Sequence, residues 1–371
     1  MSKTIQDCIA ESFSLRYSDI QSSVRDTAQR FGQRLSRRLA ACGVGSRREE
    51  RERILLDGAQ LGLEHFALRS RACGDEGAGD ETADPLMLAL VSEELGAADL
   101  ESAVDLLLPV CAAWLADAAG PSFLDDEERG RLLSGQLSVA LAAGDSHGGA
   151  CLFGRSDAVL AVGPAVTAGG LALACLTGDM LARSRQDLEE AGFERLGFRL
   201  LNAQAMAGAA NYRADVAALD AARSSVGLAL GGALVGAMRA ATEFALGYAE
   251  ERQSFGRPII QHQLVAARLA DILIQFESSK LLLWQAASRP DRVGLPMLAA
   301  QLRDASQHVF RDALQIGGAH GYVDGLPTAK WLQNGAAISA WLCEFVGPYG
   351  LYPAQLSQLA QQPGQDLVSQ E

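Results

Sequence analysis

Several chemistries are missing from this sequence, and each absence narrows what the chain can do. Seven cysteines (Cys8, Cys42, Cys73, Cys111, Cys151, Cys175 and Cys343) are scattered with no CxxC pair, an odd count that reads as reduced thiols, mostly small core residues. Five histidines (His65, His147, His262, His308 and His320) form no HExxH or similar pattern, so no metal is expected. No strand–GxGxxG–helix unit is present, which argues against a nicotinamide dinucleotide. The formal net charge of -13 lacks the basic surface that a nucleic-acid partner demands. Met1 to Glu11 has no continuous apolar run of the signal-peptide kind. The apolar stretch Val226 to Ala241 is short for a span, rich in Gly and Ala, and carries Arg239 inside its end, so it reads as a buried helix rather than a membrane one. These absences together point to a cytoplasmic chain with no metal, nucleic-acid or membrane partner.

What is present is enough apolar residue for a large core. The 371 residues are 49% hydrophobic and 21% charged, and the length suggests two or three domains. Residues 1–134 read as a helical domain, with Ile20, Val24 and Phe31 on one apolar stripe. Residues 135–210 change to short apolar runs punctuated by Gly148-Gly149, Gly163-Pro164, Gly169-Gly170 and Thr177-Gly178-Asp179, the pattern of a small β domain. Residues 211–371 return to helix.

The stretch from Met238 to Ala270 reads MRAATEFALGYAEERQSFGRPIIQHQLVAARLA. Phe244, Tyr248 and Arg252 are spaced by four and fall on one helix face. The chain breaks at Ser254-Phe255-Gly256-Arg257-Pro258, where Gly256 gives freedom and Pro258 restricts the residue before it. A second helix starting near Ile260 carries His262, Gln263, Arg268 and Asp271. Such a break offers helix-start amides, a guanidinium and a ring, a set suited to a phosphate or nucleotide. The plainer reading is an interhelical turn with a solvated arginine.

YAEERQSFGRPIIQHQLVAARLADI resembles the ERxxFGxPIxxxQxxxxxLAD segment of the acyl-CoA dehydrogenase family. Three further elements follow the family in order: Glu93-Glu94-Leu95-Gly96-Ala97-Ala98-Asp99, the Leu133-Ser134-Gly135-Gln136 approach, and Gln315-Ile316-Gly317-Gly318-Ala319-His320-Gly321-Tyr322, similar to QIxGGxGY. The resemblance implies a mainly α fold with a small central β domain: a helical N-terminal domain, an abbreviated β middle domain and a C-terminal four-helix bundle. It implies FAD, with Arg252 on phosphate, Ser254 donating to phosphate, Phe255 packing on the adenosine end, His262 and Gln263 at matching positions, and Gln315 and Gly318 completing the adenosine pocket across a subunit boundary. It further implies an acyl thioester substrate, on coenzyme A or a carrier protein, an oligomer, and electron-transfer flavoprotein as the electron acceptor.

The catalytic base is where the sequence departs from the family. Proton abstraction next to a thioester carbonyl needs a carboxylate whose pKa is raised by a desolvated pocket. Counted without gaps from Gly321-Tyr322 and Pro327, the family's glutamate position falls on Leu342, and the alternative site one helix upstream falls near Val226. Glu344 is the nearest carboxylate to the first. The flavin-flanking loop is replaced by AGDSHGGAC, and no tryptophan falls within the β segment. Three readings stay open: an active acyl-CoA dehydrogenase with Glu344 as base; a subunit without a base that serves as the scaffold of a heteromeric enzyme, for example on a bulky or steroid side-chain substrate; and a related flavin monooxygenase or oxidase.

Overall fold

The computed structural model describes residues 18–42, 46–58, 62–63, 84–120, 123–144, 149–167, 170–177, 181, 187–188, 193–201, 209–213, 215–288, 294–322 and 326–347. Most of the acid-rich loop before Asp84, positions 145–148 of the AGDSHGGAC stretch and the polar tail lie outside them.

Among the described residues five helices come first: α1 (Asp19–Ala41), α2 (Arg47–Gly58), α3 (Pro85–Ala98), α4 (Leu100–Ala118) and α5 (Asp126–Leu133). Their ends are chemically marked. Asp84 caps α3, accepting from the Leu86 amide at 2.9 Å, and Pro85 follows at the first helical position, where no amide hydrogen is missed. Asp99 serves two helices: its amide donates to Leu95 O, closing α3, and its side chain accepts from the Ser102 amide at 2.8 Å, opening α4. The break in this region therefore falls at Asp99, not at Gly96, which lies inside α3.

A seven-stranded sheet follows, with β1 (Val139–Gly144), β2 (Ala150–Arg155), β3 (Leu160–Thr167), β4 (Gly170–Thr177), β5 (Asp187–Leu188), β6 (Leu196–Leu201) and β7 (Ala210–Arg213) in the order β5-β6-β2-β1-β3-β4-β7. Only β1 and β3 are parallel neighbours, with Leu141 opposite Val162. β1, β3, β4 and β6 fall on the short apolar runs 137–142, 158–162, 171–176 and 198–202, while β2, whose Cys-Leu-Phe run sits next to glycines, β5 and β7 lie outside them.

Four helices complete the chain: α6 (Val216–Glu251), α7 (Gln263–Ser288), α8 (Gly294–Gly317) and α9 (Thr328–Val346). By length and composition α6 could cross a membrane, but 83% of its apolar window is buried inside the fold, packed by α3, α4, α7, α8 and α9. Its glycines let α3 approach closely. A Cβ on Gly236 would fall 2.0 Å from Glu93 O, one on Gly232 would meet Ala89 O at 2.9 Å, and one on Gly96 would fall 2.1 Å from Ala233 O. The Gly/Ala-rich stretch read from the sequence as a buried helix is thus buried against α3 within the chain.

One face of the sheet packs against both α4 and α9. Phe153 of β2 stacks on Phe198 of β6 (4.6 Å between centroids) and meets Trp341 of α9 at 5.4 Å, while Trp341 stacks on Phe345. The Trp341 ring N–H donates to Cys151 O at 2.8 Å, satisfying a polar group that burial would otherwise strand. On the α4 side, buried Asp105 accepts from Arg155 (2.7 Å) and Arg195 (3.0 Å).

Candidate functional site: a hairpin and a glycine turn

The break after α6 is a β-hairpin. Gln253–Ser254 pairs antiparallel with Arg257–Pro258, and the two turn residues, Phe255 and Gly256, both have positive φ (53° and 77°). Two such residues in sequence match the right-handed twist of a tight hairpin. Glycine adopts that conformation freely; an aromatic residue does so at a cost of about 1–2 kcal/mol. Phe255 is the only non-glycine residue with positive φ among the described residues, and it is 95% exposed. An exposed ring held in a strained conformation does nothing for the core of its own chain.

The hairpin base is well fixed. The Arg252 amide donates to Tyr248 O at 2.9 Å, and its carbonyl accepts from the Ile259 amide at 2.8 Å. His262 Nε2 donates to Ser254 O at 3.2 Å, which leaves Nδ1 to accept from Arg257 at 3.2 Å. That pattern defines a neutral ring with its proton on Nε2. The His262 ring meets Phe255 edge-on at 6.2 Å. Gln263 opens α7 and is exposed. The second helix thus starts three residues later than the sequence suggested, after a 3₁₀ turn at Ile259–Gln261. Arg252 closes α6 rather than continuing the face of Phe244 and Tyr248; its guanidinium is exposed and has no ion pair among the described residues.

The glycine-rich element ends α8 and turns through Gly318–Tyr322. Gly318 has φ 56°, and a Cβ on Gly321 would fall 2.6 Å from Leu314 O, so both positions require glycine. This turn stands beside the end of α6: Tyr248 OH and His320 Nδ1 share a hydrogen bond of 3.1 Å, and Gly317 lies against the Phe244 ring. Gln315 is exposed and Gly318 half-buried. One turn before Gln315, buried Asp312 accepts from Arg268 of α7 at 2.9 Å.

The base positions are different in kind. Leu342 is 1% exposed and Val226 0% exposed, both within the main apolar core. One turn before Val226, Arg223 donates to the carbonyls of Phe345, Val346 and Gly347, so the end of α9 is pinned to α6. Glu344 is exposed, on the side of α9 that faces β2. Its charge is felt at Cys151, whose thiol is pushed up to about 11, first by burial and then by Glu344.

Glu93-Glu94-Leu95-Gly96, which reads in sequence as a surface helix end, is buried in full. Glu94 takes two hydrogen bonds from Arg239 (3.0 and 2.6 Å) and one from Arg25 (2.8 Å). Burial alone would raise its pKa; these bonds and charges outweigh burial and hold it low. Glu93 has only a 3.4 Å contact with Arg239, and burial, with the neighbouring Glu94 charge, pushes its pKa up. An apolar run broken by one arginine could have signalled this, since a cation inside a core helix calls for buried acids.

Among the described residues no cluster of His, Cys, Asp or Glu could hold a metal. The hairpin and turn have the makings of a dinucleotide half-site: an exposed guanidinium, an outward ring and glycines that let a ligand approach the backbone. The fold around them, helices, then a sheet, then a four-helix bundle, is shared with solved acyl-CoA dehydrogenases. Its C-terminal part carries the acyl-CoA dehydrogenase C-terminal domain, and the whole chain has the fold of solved acyl-CoA dehydrogenases. The family model "Acyl-CoA dehydrogenase, C-terminal domain" matches residues 199–341. The 3-sulfinopropanoyl-CoA desulfinase of Paraburkholderia xenovorans is 38% identical over 104 residues, 27% of each chain. The human mitochondrial short-chain specific acyl-CoA dehydrogenase is 33% identical over 103 residues, 26% of this chain and 24% of that one. The match thus spans about a quarter of the length of these curated relatives. Among solved structures, butyryl-CoA dehydrogenase from Megasphaera elsdenii aligns over 94% of this chain and 100% of its own with a TM-score of 0.64 at 17% identity. The Tcur3481-Tcur3483 steroid ACAD aligns over 93% and 99% with a TM-score of 0.64 at 19% identity. Members of the family bind FAD, and relatives form oligomers, heteromeric steroid enzymes among them.

Proposed function

We propose that this chain is a subunit of an FAD-dependent acyl-thioester dehydrogenase, lending its hairpin and glycine turn to a flavin site whose base comes from a second, related chain. The observation that carries the reading is the contrast between the two halves of the site. Leu342 and Val226, where a carboxylate would stand, are buried aliphatic residues, while Arg252 and Phe255 are exposed and held in place. The hairpin has kept what binds; the base positions have lost what reacts.

FAD, when bound, supplies the hydride acceptor. This chain's residues hold its nucleotide end. Arg252 pairs with the pyrophosphate through charge-assisted hydrogen bonds. Ser254 donates to phosphate, and Phe255 covers the adenosine from outside its own fold. His262 and Gln263 stiffen the hairpin and its exit into α7, and Gln315 and Gly318 line the turn. An acyl thioester bound at such a site loses the proton next to its carbonyl to the partner's carboxylate.

A second reading has one observation in its favour: Glu344 lies close enough to Cys151, at the start of β2, to raise its thiol pKa. That places a carboxylate near the strand that follows the altered loop, and Glu344 is then the base of a self-sufficient enzyme.

The two readings part on one experiment. The chain is purified alone and together with an acyl-CoA dehydrogenase-like chain that carries a glutamate at the family's base position. FAD content, association state and flavin reduction by a panel of acyl thioesters are then measured. The subunit reading expects turnover only in the mixed assembly. Stoichiometric FAD and substrate-driven reduction in the chain alone would replace it with the self-sufficient enzyme.

A further inference from the structure

We propose that Asp312 is a positioning residue: through Arg268 it fixes the 252–258 hairpin against the Gly318–Tyr322 turn and so sets the shape of the nucleotide half-site. The functional meaning of this brace rests on the half-site reading above; the brace itself does not.

Asp312 is buried on α8, with its side chain 4% exposed, and two arginines and a histidine converge on it. Arg268 donates to Oδ1 at 2.9 Å, Arg311 Nε donates to the same oxygen at 3.3 Å, and His308 Nε2 lies 3.3 Å from Oδ2. Arg311 and His308 belong to Asp312's own helix, so they add nothing to the joint between elements. Arg268 comes from the second turn of α7. The residue just before α7, His262, holds the Ser254 carbonyl and receives Arg257. A continuous path therefore runs from Asp312 through Arg268 and the first turns of α7 to the hairpin. From the same carboxylate, α8 runs one turn to Gln315 and on to Gly318. Another α7–α8 side-chain bond, Gln301 to Gln275 at 3.3 Å, lies farther along both helices from the hairpin.

The charge balance makes the proposal discriminating. Arg268 and Arg311 are about half exposed, and Asp312 offsets one of them. If the cluster acted only by its field, removing the carboxylate would make the region more positive and tighten an anionic ligand. If the carboxylate acts by position, its removal loosens the hairpin and weakens the same ligand.

The test uses the full chain and three variants: Asp312→Asn, Arg268→Gln and the double substitution. Hydrogen exchange is followed at 252–262 and 315–322, with FAD retention measured in parallel. Each single variant is expected to speed exchange in both segments at least about tenfold while the rest of α6 keeps its protection, and the double variant should be no faster than either single, because all three remove one bond. FAD retention should fall in all three. Faster exchange confined to α8, exchange rising throughout the chain in step with a lower Tm, or tighter FAD retention would each overturn the proposal. Arg268 is surface-accessible, so its variant reports on the brace even if Asp312→Asn fails to fold. If the parent retains no FAD in any assembly, the half-site reading falls while the exchange data still decide the brace.

Discussion

Leu342 and Glu344 stand two positions apart on α9 and meet opposite surroundings: the first is sealed in the apolar core, the second is exposed on the side toward β2. Two residues turn a helix by about 200°, so a family base position that falls on Leu342 cannot be served by Glu344 without a shift of register. Trp341 and Phe345 lock that register against the sheet. Glu344→Gln is therefore expected to leave substrate-driven flavin reduction in the mixed assembly within about twofold of the parent. A loss of a hundredfold or more, the scale of a missing general base, would move the base into this chain.

Phe255 gives a prediction in which stability and function move in opposite directions. Asparagine tolerates positive φ better than phenylalanine. Phe255→Asn should stabilise the isolated chain by about 1 kcal/mol, read as a higher midpoint in urea. The same change should weaken FAD retention and assembly. Arg252→Ala should weaken FAD retention by about tenfold to a hundredfold without changing the midpoint, since its guanidinium is exposed and has no ion pair among the described residues. If both variants keep FAD as the parent does, the hairpin is an ordinary turn.

Three glycines of the core helices separate close packing from open space. Alanine at Gly236 or Gly96 would force a methyl to 2.0 or 2.1 Å from a backbone oxygen, so α3 and α6 would have to part. A destabilisation of about 3 kcal/mol or more is expected, the upper range for an overpacked core. A Cβ on Gly247, also on α6, meets nothing within 4 Å. Gly247→Ala should instead stabilise by about 0.5–1 kcal/mol through helix propensity. Thermal denaturation of the three variants would show the split; equal effects would mean that α3 and α6 do not cross as described.

How much of this could be read from the sequence depended on the range of the physics involved. The RxSFG and QIGGAHGY elements were legible because their constraints are local: a ring and a glycine at a turn, glycines where a backbone carbonyl crowds. The helix–sheet–helix order was legible from periodicity and glycine punctuation. The hairpin's form was not, because the positive φ of Phe255 goes against that residue's own preference and is imposed by pairing on both sides. Trp341 is the plainer miss. No tryptophan falls in the β segment, yet α9 delivers one to β2 across 190 residues of chain. Burial of Glu93 and Glu94 was hidden for the same reason, since their partners Arg25 and Arg239 lie on other helices.

Those two neighbouring glutamates should answer to pH in opposite ways. Glu94 has its folded pKa held below the unfolded value, so its contribution is present above about pH 4.3 and is lost as pH falls through the lower, folded value. Glu94→Gln removes it and leaves Arg239 and Arg25 without their hydrogen-bonded carboxylate, a loss of about 3–5 kcal/mol at neutral pH. That deficit should shrink as the parent is acidified. Glu93 has its folded pKa raised, so it folds without penalty below about pH 4.3 and costs stability as pH rises through the folded value and the buried group must ionise. Glu93→Gln should match the parent in acid and become the more stable of the two as pH rises. Urea denaturation of the parent and both variants from about pH 2 to 8 would test this. Parallel curves for the two variants would mean that Arg239 serves both carboxylates alike, against the bidentate contact that it makes with Glu94 alone.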